Sequence, residues 1–435
     1  MNARQTALDV LAEVADGGAY LNLSLKKHLP TLKTPEDRRF CAALVSTAVQ
    51  NIIRIDYVLQ QFVQAKRVHK VIQNILRLGV CQLMFFESVP QSAAVNESVK
   101  LAQKNGKGQL KGFVNGVLRK VAENLGNIEY PDAEREPARH LSVLYSYPEW
   151  LCRQFVADFG FDFAVSLLSC GADTALTCVR LERQGWSAED ETLAEEFLPG
   201  KYCADARYIK SAGAIEGMPL YRKGLITPQG ESSMLCVLAA GIGQTDAVLD
   251  VCAAPGGKSA YAACMCKTLV AVDLHPHRVE LVRSTFARLH IGNAEALCAD
   301  GTIFNPELEG RFNVVLIDAP CSALGLLYRK PDIKLHAKKE GFAELVEIQR
   351  ALLANCSRYV KPGGRLLYST CTVNPTENLE NAQWFLQTHP DFAADDFSPQ
   401  LPEALAGKVR DGCLQLFPNT DGVDGFFIAR FGRMG

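Results

Sequence analysis

From residue 221 onward the chain repeats one pattern, a short apolar run followed by a stretch with helical spacing. AVLDVCAA leads into SAYAACMCK, TLVAVDL into HRVELVRSTFARLH, and NVVLIDAP into GFAELVEIQRALLANCSRYV, after which comes GGRLLYSTC; EALCAD adds another run. These runs do not alternate polar and apolar residues, so each is expected to be a strand buried on both faces. That arrangement requires a mostly parallel sheet covered by helices, an α/β Rossmann-like domain. The closing stretch LQLFPNTDGVDGFFIARF reads as two strands around a Gly/Asp-rich turn, a C-terminal antiparallel hairpin at one sheet edge.

The first third has no such runs. Ala7, Leu8, Leu11 and Val14 recur at helical spacing, and Thr34-Pro35-Glu36-Asp37 has the form of a helix start. Residues 68–86, 91–105 and Lys107–Asn124 predict further helices, with Gly106 and Gly108 interrupting any continuous one. Residues 126–150, with Pro131, Pro137 and Pro148, read as a linker with some helix, and 151–168 as a helix. In 176–220, TCVRLER reads as a strand and EDETLAEEFL as a helix. The expected organisation is therefore multidomain. An all-α bundle spans 1–128, a linker with a small α+β subdomain 129–224, and the α/β catalytic domain 225–435.

Charge follows the same divisions. Residues 1–130 hold 17 basic and 10 acidic residues, whereas 131–220 hold 8 and 15. The basic bundle is thus a candidate for binding a polyanion, with Lys66, Arg67, His69, Lys70, Arg77, Lys100, Lys104, Lys107, Lys111, Arg119 and Lys120 the residues that cluster. A hydrophobic content of 48% and a net charge of -2 exclude wholesale disorder. No run of 18 apolar residues suits a membrane span, and the charged first twenty residues do not form a secretory signal. The 15 cysteines are odd in number and contain no CxxC pair, so reduced thiols in a cytoplasmic protein without a metal site are expected.

In an open α/β sheet, ligands sit beyond the carboxyl ends of the strands, so the chemistry is sought there. The first strand runs into Cys252-Ala253-Ala254-Pro255-Gly256-Gly257-Lys258-Ser259, whose small residues let a ligand approach the backbone at a helix start. Gly257-Lys258-Ser259 imitates the end of a phosphate-binding P-loop, but Cys252 stands where that pattern needs its first glycine. Asp273 ends the second strand, where an acid suits ribose hydroxyls, and Asp300 ends the third. The set outlines a nucleoside pocket without a phosphate cradle, which S-adenosyl-L-methionine fits. The fourth strand ends in Asp318-Ala319-Pro320-Cys321, the next in Ser369-Thr370-Cys371. If these strands are neighbours, two thiols and a carboxylate converge. Carbon 5 of cytosine is a poor nucleophile until a thiolate adds to carbon 6, and a carboxyl such as Asp318 can assist at ring nitrogen 3. Lys258 can favour the thiolate or contact the base. The residues alone do not choose which thiol attacks.

AAPGGKS, DAPCSALG and YSTCTVNPTEN resemble the signature blocks of the RNA cytosine-5 methyltransferase family. LKGFVNGVLRK resembles the RNA-binding antitermination-factor domain of its bacterial members, and the likeness spans essentially the whole chain. The resemblance implies Cys371 as the nucleophile, Cys321 as the thiol that assists product release, and cofactor contacts at Cys252 through Lys258, Asp273, Asp300 and Asp318, with Arg278 joining them. It also implies 16S ribosomal RNA as partner, with cytosine 967 in standard ribosomal numbering as the target; Arg329 and Lys330, expected near the active-site mouth, are further candidates for RNA contact. A monomer is expected. A transfer RNA or DNA target, or a non-catalytic RNA-binding assembly factor, are the alternatives. The family's Gln-Asp-x-Ser is here Gln229-Gly230-Glu231-Ser232, Leu324 replaces a common threonine, and Ser259 replaces another. Because the P-loop pattern is broken at Cys252, the chain is expected to show no magnesium-dependent ATP hydrolysis; a phosphate-release assay checks this.

Overall fold

The computed structural model describes residues 2–171, 176–182, 185–210 and 215–435. By its contacts the chain forms two compact units, one holding the residues up to Cys170 together with Leu327–Ala337, the other Gly171–Leu326 with Lys338–Gly435.

The first unit is helical among its described residues. Its main helices are Ala3–Ala15, Leu21–His28, Pro35–Gln50, Ile52–Phe62, Lys70–Phe85, Gln91–Lys104, Lys111–Asn124, Pro137–Tyr145, Glu149–Phe159 and Phe161–Leu168. Thr34 caps the third as predicted, its side-chain oxygen accepting from Asp37 N at 3.2 Å. The apolar stripes meet in one core that includes Leu11, Val45, Ile55, Ile75, Leu78 and Leu118. The helix of Lys100 and Lys104 stops at Gly106, whose φ of +70° an L side chain disfavours, so Lys107 and Lys111 do not continue that face. The single helix expected over 151–168 is two, divided at Gly160 (φ +83°).

The middle segment is shared out. Its helices up to Leu168 join the first unit, where Ser146 Oγ accepts from Ile53 N at 2.9 Å and so satisfies the start of helix Ile52–Phe62. Leu327–Ala337, expected within the catalytic domain, also packs in the helical unit. There Asp332 accepts from Leu21 N at 3.0 Å, and the buried Lys334 donates to Gln50 O. Burial pulls the Lys334 ammonium down to about 7. Arg329 and Lys330 belong to this segment rather than to the catalytic unit.

The second unit holds two sheets. The small one contains β1 (Leu176–Leu181), β2 (Leu198–Pro199), β3 (Ala206–Lys210) and β4 (Ile226–Pro228), antiparallel in the order β2-β3-β1-β4. Arg183, at the end of the predicted TCVRLER strand, lies outside the described residues. The predicted EDETLAEEFL helix is Ala188–Ala194 and ends before Leu198 enters β2. The large sheet contains β5 (Ala247–Val251), β6 (Thr268–Asp273), β7 (Ala294–Cys298), β8 (Phe312–Asp318), β9 (Val360–Thr370), β10 (Phe392–Ala394), β11 (Cys413–Leu416) and β12 (Phe426–Arg433). Its order is β10-β12-β9-β8-β5-β6-β7, with β11 also pairing to β12. Strands β5 to β9 are parallel, and β12 enters antiparallel beside β9. The expected hairpin exists between β11 and β12, but β12 is an inner strand, flanked by β9 on one side and by β10 and β11 on the other. Its buried run Phe426–Phe431 needs cover that an edge would not supply.

Glu231, the departure from the family pattern, ties helix Glu231–Ala239 to the small sheet. Its buried carboxylate accepts from the backbone N–H groups of Lys201, Tyr202 and Cys203 and from Tyr208 Oη at 2.7 Å. Glu231→Ala removes the acceptor of three backbone amides, of which that of Cys203 is buried, at about 1–3 kcal/mol for the buried one. It is expected to lower the urea midpoint of the full-length chain strongly while leaving the helical unit's transition in place, as far-UV circular dichroism would read.

Candidate active site

The glycine loop after β5 is tied on three sides. Ala254 N donates to Asp273 Oδ2 at 3.1 Å, Arg278 Nη2 to Ala254 O at 3.3 Å, and Thr285 Oγ1 to Pro255 O at 2.9 Å. Arg278 is also ion-paired to Asp273 at 3.0 Å. Asp273 and Arg278 therefore brace the loop as one unit with helix Pro276–Arg288. Gly256 has φ +100°, and a Cβ there would come within 3.2 Å of Val282 Cα, so this close approach needs glycine. Asp300 closes a local turn, one oxygen accepting from Thr302 N at 2.9 Å and Thr302 Oγ1 at 2.6 Å.

Below the loop, Asp250 is fully buried and accepts from Ser259 Oγ. Burial raises its carboxyl to about 7, with the Ser259 hydrogen bond opposing. Burial likewise raises the Cys252 thiol to about 12, so Cys252 is a poor nucleophile held at φ +63° in the loop.

The register of β8 on β9 sets Asp318 opposite Ser369, as the neighbouring strands had to be for the sequence argument to hold. Asp318 Oδ1 accepts from Ser369 Oγ at 3.0 Å, and Oδ2 pairs with Lys258 Nζ at 2.7 Å. Burial pulls the Lys258 ammonium down, but the charge and hydrogen bond of Asp318 together with the nearby Cys236 and Cys371 thiols outweigh it, and the net direction is upward. The ammonium also lies 5.2 Å from the Phe426 ring centre. Beyond the strand ends, Cys321 Sγ and Cys371 Sγ are 3.3 Å apart, and both residues are partly exposed. The hydrogen bond to Cys371 and burial hold the Cys321 thiol well above its usual range. Gly325 N donates to Cys371 O at 3.1 Å and Gly425 N to Gly325 O at 3.0 Å, a backbone approach that leaves no room for a Cβ at Gly325. Leu324 is buried beside it.

The structure thus gathers Cys252 through Lys258, Asp273, Arg278, Asp300, Asp318, Cys321 and Cys371 in one unit, at the carboxyl ends of β5 to β9. It adds residues the sequence reasoning passed over. Arg180, on β1 and fully buried, donates to Gly257 O at 2.8 Å and to Gln229, pairs with Glu182 at 2.6 Å and covers the Tyr261 ring at 4.6 Å. The small sheet therefore holds the start of helix Gly257–Ala263. Glu377, Ser322, Thr372 and Asn374 form a buried network around the two cysteine loops. Their signal was the polar run Asn374–Asn378, which is too hydrophilic for its place beside a strand end unless it is satisfied internally. Among the described residues, no group of three or more His, Cys, Asp or Glu could hold a metal ion, and no helix is long and apolar enough to cross a membrane.

An open parallel sheet with an antiparallel strand inserted beside its last parallel one, and a glycine loop after its first strand, defines a methyltransferase catalytic domain. The family described as 16S rRNA methyltransferase RsmB/F matches residues 237–432, and the NusB family matches residues 1–123. The chain is 34% identical over 455 residues to the probable ribosomal RNA small subunit methyltransferase B of Bacillus subtilis, covering 100% of this chain and 99% of the relative. A Synechocystis relative of the same name is 31% identical, covering 99% of each. The crystal structure of PH0851 superposes with a TM-score of 0.80 at 22% identity, covering 98% of each chain, which establishes the shared fold. The chain belongs to the ribosomal RNA small subunit methyltransferase B family.

The titration of Asp250 has a sign that can be tested. Its folded pKa lies above the unfolded value, so between about 4 and about 7 the folded state binds the extra proton and stability falls as pH rises. Asp250→Asn is expected to remove that decline, a difference on the order of a few kcal/mol; urea unfolding at pH 4.5 and pH 7.5 measures it.

Proposed function

We propose that the chain transfers a methyl group from S-adenosyl-L-methionine to carbon 5 of a cytosine in 16S ribosomal RNA, cytosine 967, through a covalent bond between Cys371 Sγ and carbon 6. The observation that carries this reading is the pair of thiols 3.3 Å apart beside the Lys258–Asp318 ion pair. Methylation at nitrogen or oxygen requires no thiol; methylation at carbon 5 requires one to add and assistance for it to leave.

The residues fit the cofactor by charge and space. The carboxylates of Asp273, Asp300 and Asp318 surround a loop that lacks a phosphate cradle, which suits a cationic nucleoside rather than a nucleotide. Cys252 through Gly257 would line the cofactor, Asp273 would take the ribose hydroxyls with the loop braced by Arg278, and Asp300 would flank the base. Bound there, the cofactor supplies an electrophilic methyl group on a sulfonium.

Cys371 as thiolate adds to carbon 6, and the electron pair of the C5–C6 double bond moves toward carbon 5. Asp318, held by Lys258 and Ser369, assists at ring nitrogen 3, where negative charge develops. After carbon 5 has been methylated, ionised Cys321 takes its proton, the C–H electron pair re-forms the C5–C6 double bond, and Cys371 leaves carbon 6 as thiolate. Cys321 assists this release: a thiol held above its usual range gives a strong base once ionised. The target base must be unpaired or flipped from its stack to reach two recessed thiols. The basic helical unit supplies phosphate contacts, so RNA binding weakens as salt rises. The reading places a monomer in the cytoplasm, acting on free 16S RNA or an early small-subunit particle.

Labelled S-adenosyl-L-methionine and unmethylated 16S transcript, followed by nucleotide mapping, test the proposal. One 5-methylcytosine at 967 is expected with wild type and none with Cys371→Ala. A protein–RNA adduct that resists denaturation is expected to accumulate with Cys321→Ala. Label in transfer RNA instead would keep the chemistry and discard the target. RNA binding without any transfer would favour the assembly-factor alternative.

A further inference from the structure

We infer that Glu377 is the positioning residue that sets the spacing of the two active-site thiols, and so governs how the enzyme lets go of its RNA. The inference rests on the two-thiol reading above for its catalytic meaning.

Glu377 has no exposed surface. Its Oε2 accepts from Ser322 N at 2.9 Å and from Gln349 Nε2 at 2.9 Å. Its Oε1 accepts from Asn374 Nδ2 at 3.0 Å and from Ser322 Oγ. Ser322 directly follows Cys321, and Asn374 lies three residues after Cys371. One carboxylate therefore grips the loop of each thiol. Thr372 closes the ring through Ser322 Oγ at 2.7 Å. Gln349 extends it to helix Gly341–Cys356, while its own Nε2 also reaches Pro320 O at 2.8 Å. Glu377 is in turn held by its carbonyl, which accepts from Tyr368 Oη at 2.6 Å and from Asn381 Nδ2 at 3.2 Å.

All four donors to the carboxylate are neutral groups. No ion pair is needed to explain the geometry; what matters is that both oxygens accept, twice each. An amide of the same shape cannot do this. Whichever way a glutamine side chain is turned, its NH2 faces donors, and one grip on a thiol loop is lost: Ser322 N in one orientation, Asn374 Nδ2 in the other. The thiols themselves are untouched by that change. The step most sensitive to their mutual distance is the one that uses both, the release of the Cys371 adduct with help from Cys321.

The spacing can be read without any RNA. Diamide oxidises two adjacent thiols to a disulfide, its N=N bond taking up both hydrogens and becoming a hydrazine. In wild type the Cys321–Cys371 pair is expected to oxidise rapidly, as peptide mapping would show. In Glu377→Gln the rate is expected to fall by about a hundredfold, the usual cost of moving reacting groups by about 1 Å. Alkylation of each thiol by iodoacetamide is expected to stay near wild type, whereas a folding defect would raise it. In single-turnover methylation with 16S transcript, Glu377→Gln is expected to form adduct but release it slowly, with the KM for S-adenosyl-L-methionine unchanged. Ser322→Ala, which removes one hydroxyl donor and no buried charge, is the milder second variant and should shift both readouts in the same direction. Wild-type diamide rates in Glu377→Gln and Ser322→Ala would overturn the inference. A chain that methylates no RNA would overturn the catalytic reading, while the oxidation rates would still decide whether Glu377 spaces the thiols.

Discussion

The parallel pairing of β8 with β9, with Asp318 opposite Ser369, is the constraint on which the catalytic unit depends. A slip of one residue would turn every side chain of β9 to the other face of the sheet. Leu367 and Tyr368, which pack into cores on opposite faces, would exchange environments. The hydrophobic pattern therefore holds the register, and the register brings the loop of Cys321 beside the loop of Cys371. Chemistry is placed here by the burial of residues that take no part in it.

The floor of the cleft is polar, and its polar groups are buried, so each has to be satisfied from inside. Lys258 and Asp318 satisfy one another, Arg180 is shared between Glu182, Gln229 and the Gly257 carbonyl, and Glu377 accepts from four neutral donors. Such networks contribute little net stability, because desolvation offsets most of what the hydrogen bonds return. They do make displacement of any one member costly, which is what the proposed reaction, with two sulfur atoms and a carboxylate in fixed relation, requires. Arg180 also gives the small antiparallel sheet a purpose. An acidic segment with no sequence motif turns out to carry the side chain that holds the start of the cofactor-loop helix.

Much of this was legible in the residues. The alternation of apolar runs with helical stretches was enough to place β5 to β9, and the fold's habit of binding ligands at strand ends then pointed to Cys252, Asp273, Asp300, Asp318, Cys321 and Cys371. Other features were not legible, for physical reasons. Glu231 stood in the sequence only as an acid one position after the family's, because sequence does not show that three backbone amides of the loop after β2 converge on it. Leu327–Ala337 looked like part of the catalytic domain, because its neighbours in sequence are. Its anchors, Leu21 N and Gln50 O, are backbone groups about 300 residues away along the chain, and backbone groups carry no sequence signal. The C-terminal strand pair was foreseen, but the position of β12 inside the sheet was not, since only β10, which follows a helix, covers its far end.

The sequence by itself determined the α/β character of the second unit, the helical character of the first, and the residue types from which a methyltransferase site could be built. Those depend on local periodicity, on glycine's freedom at positions such as Gly256, and on the chemistry of thiols and carboxylates. Only the tertiary structure decided how those types are related. It set the 3.3 Å between the sulfur atoms, the pairing of Lys258 with Asp318, the brace of Asp273 and Arg278 on the loop, and the buried grip of Glu377 on both thiol loops. The reason is that each depends on a contact between segments separated in sequence, Cys321 with Cys371, Lys258 with Asp318, Ala254 with Asp273 and Ser322 with Glu377, formed when the apolar faces of the sheet are buried.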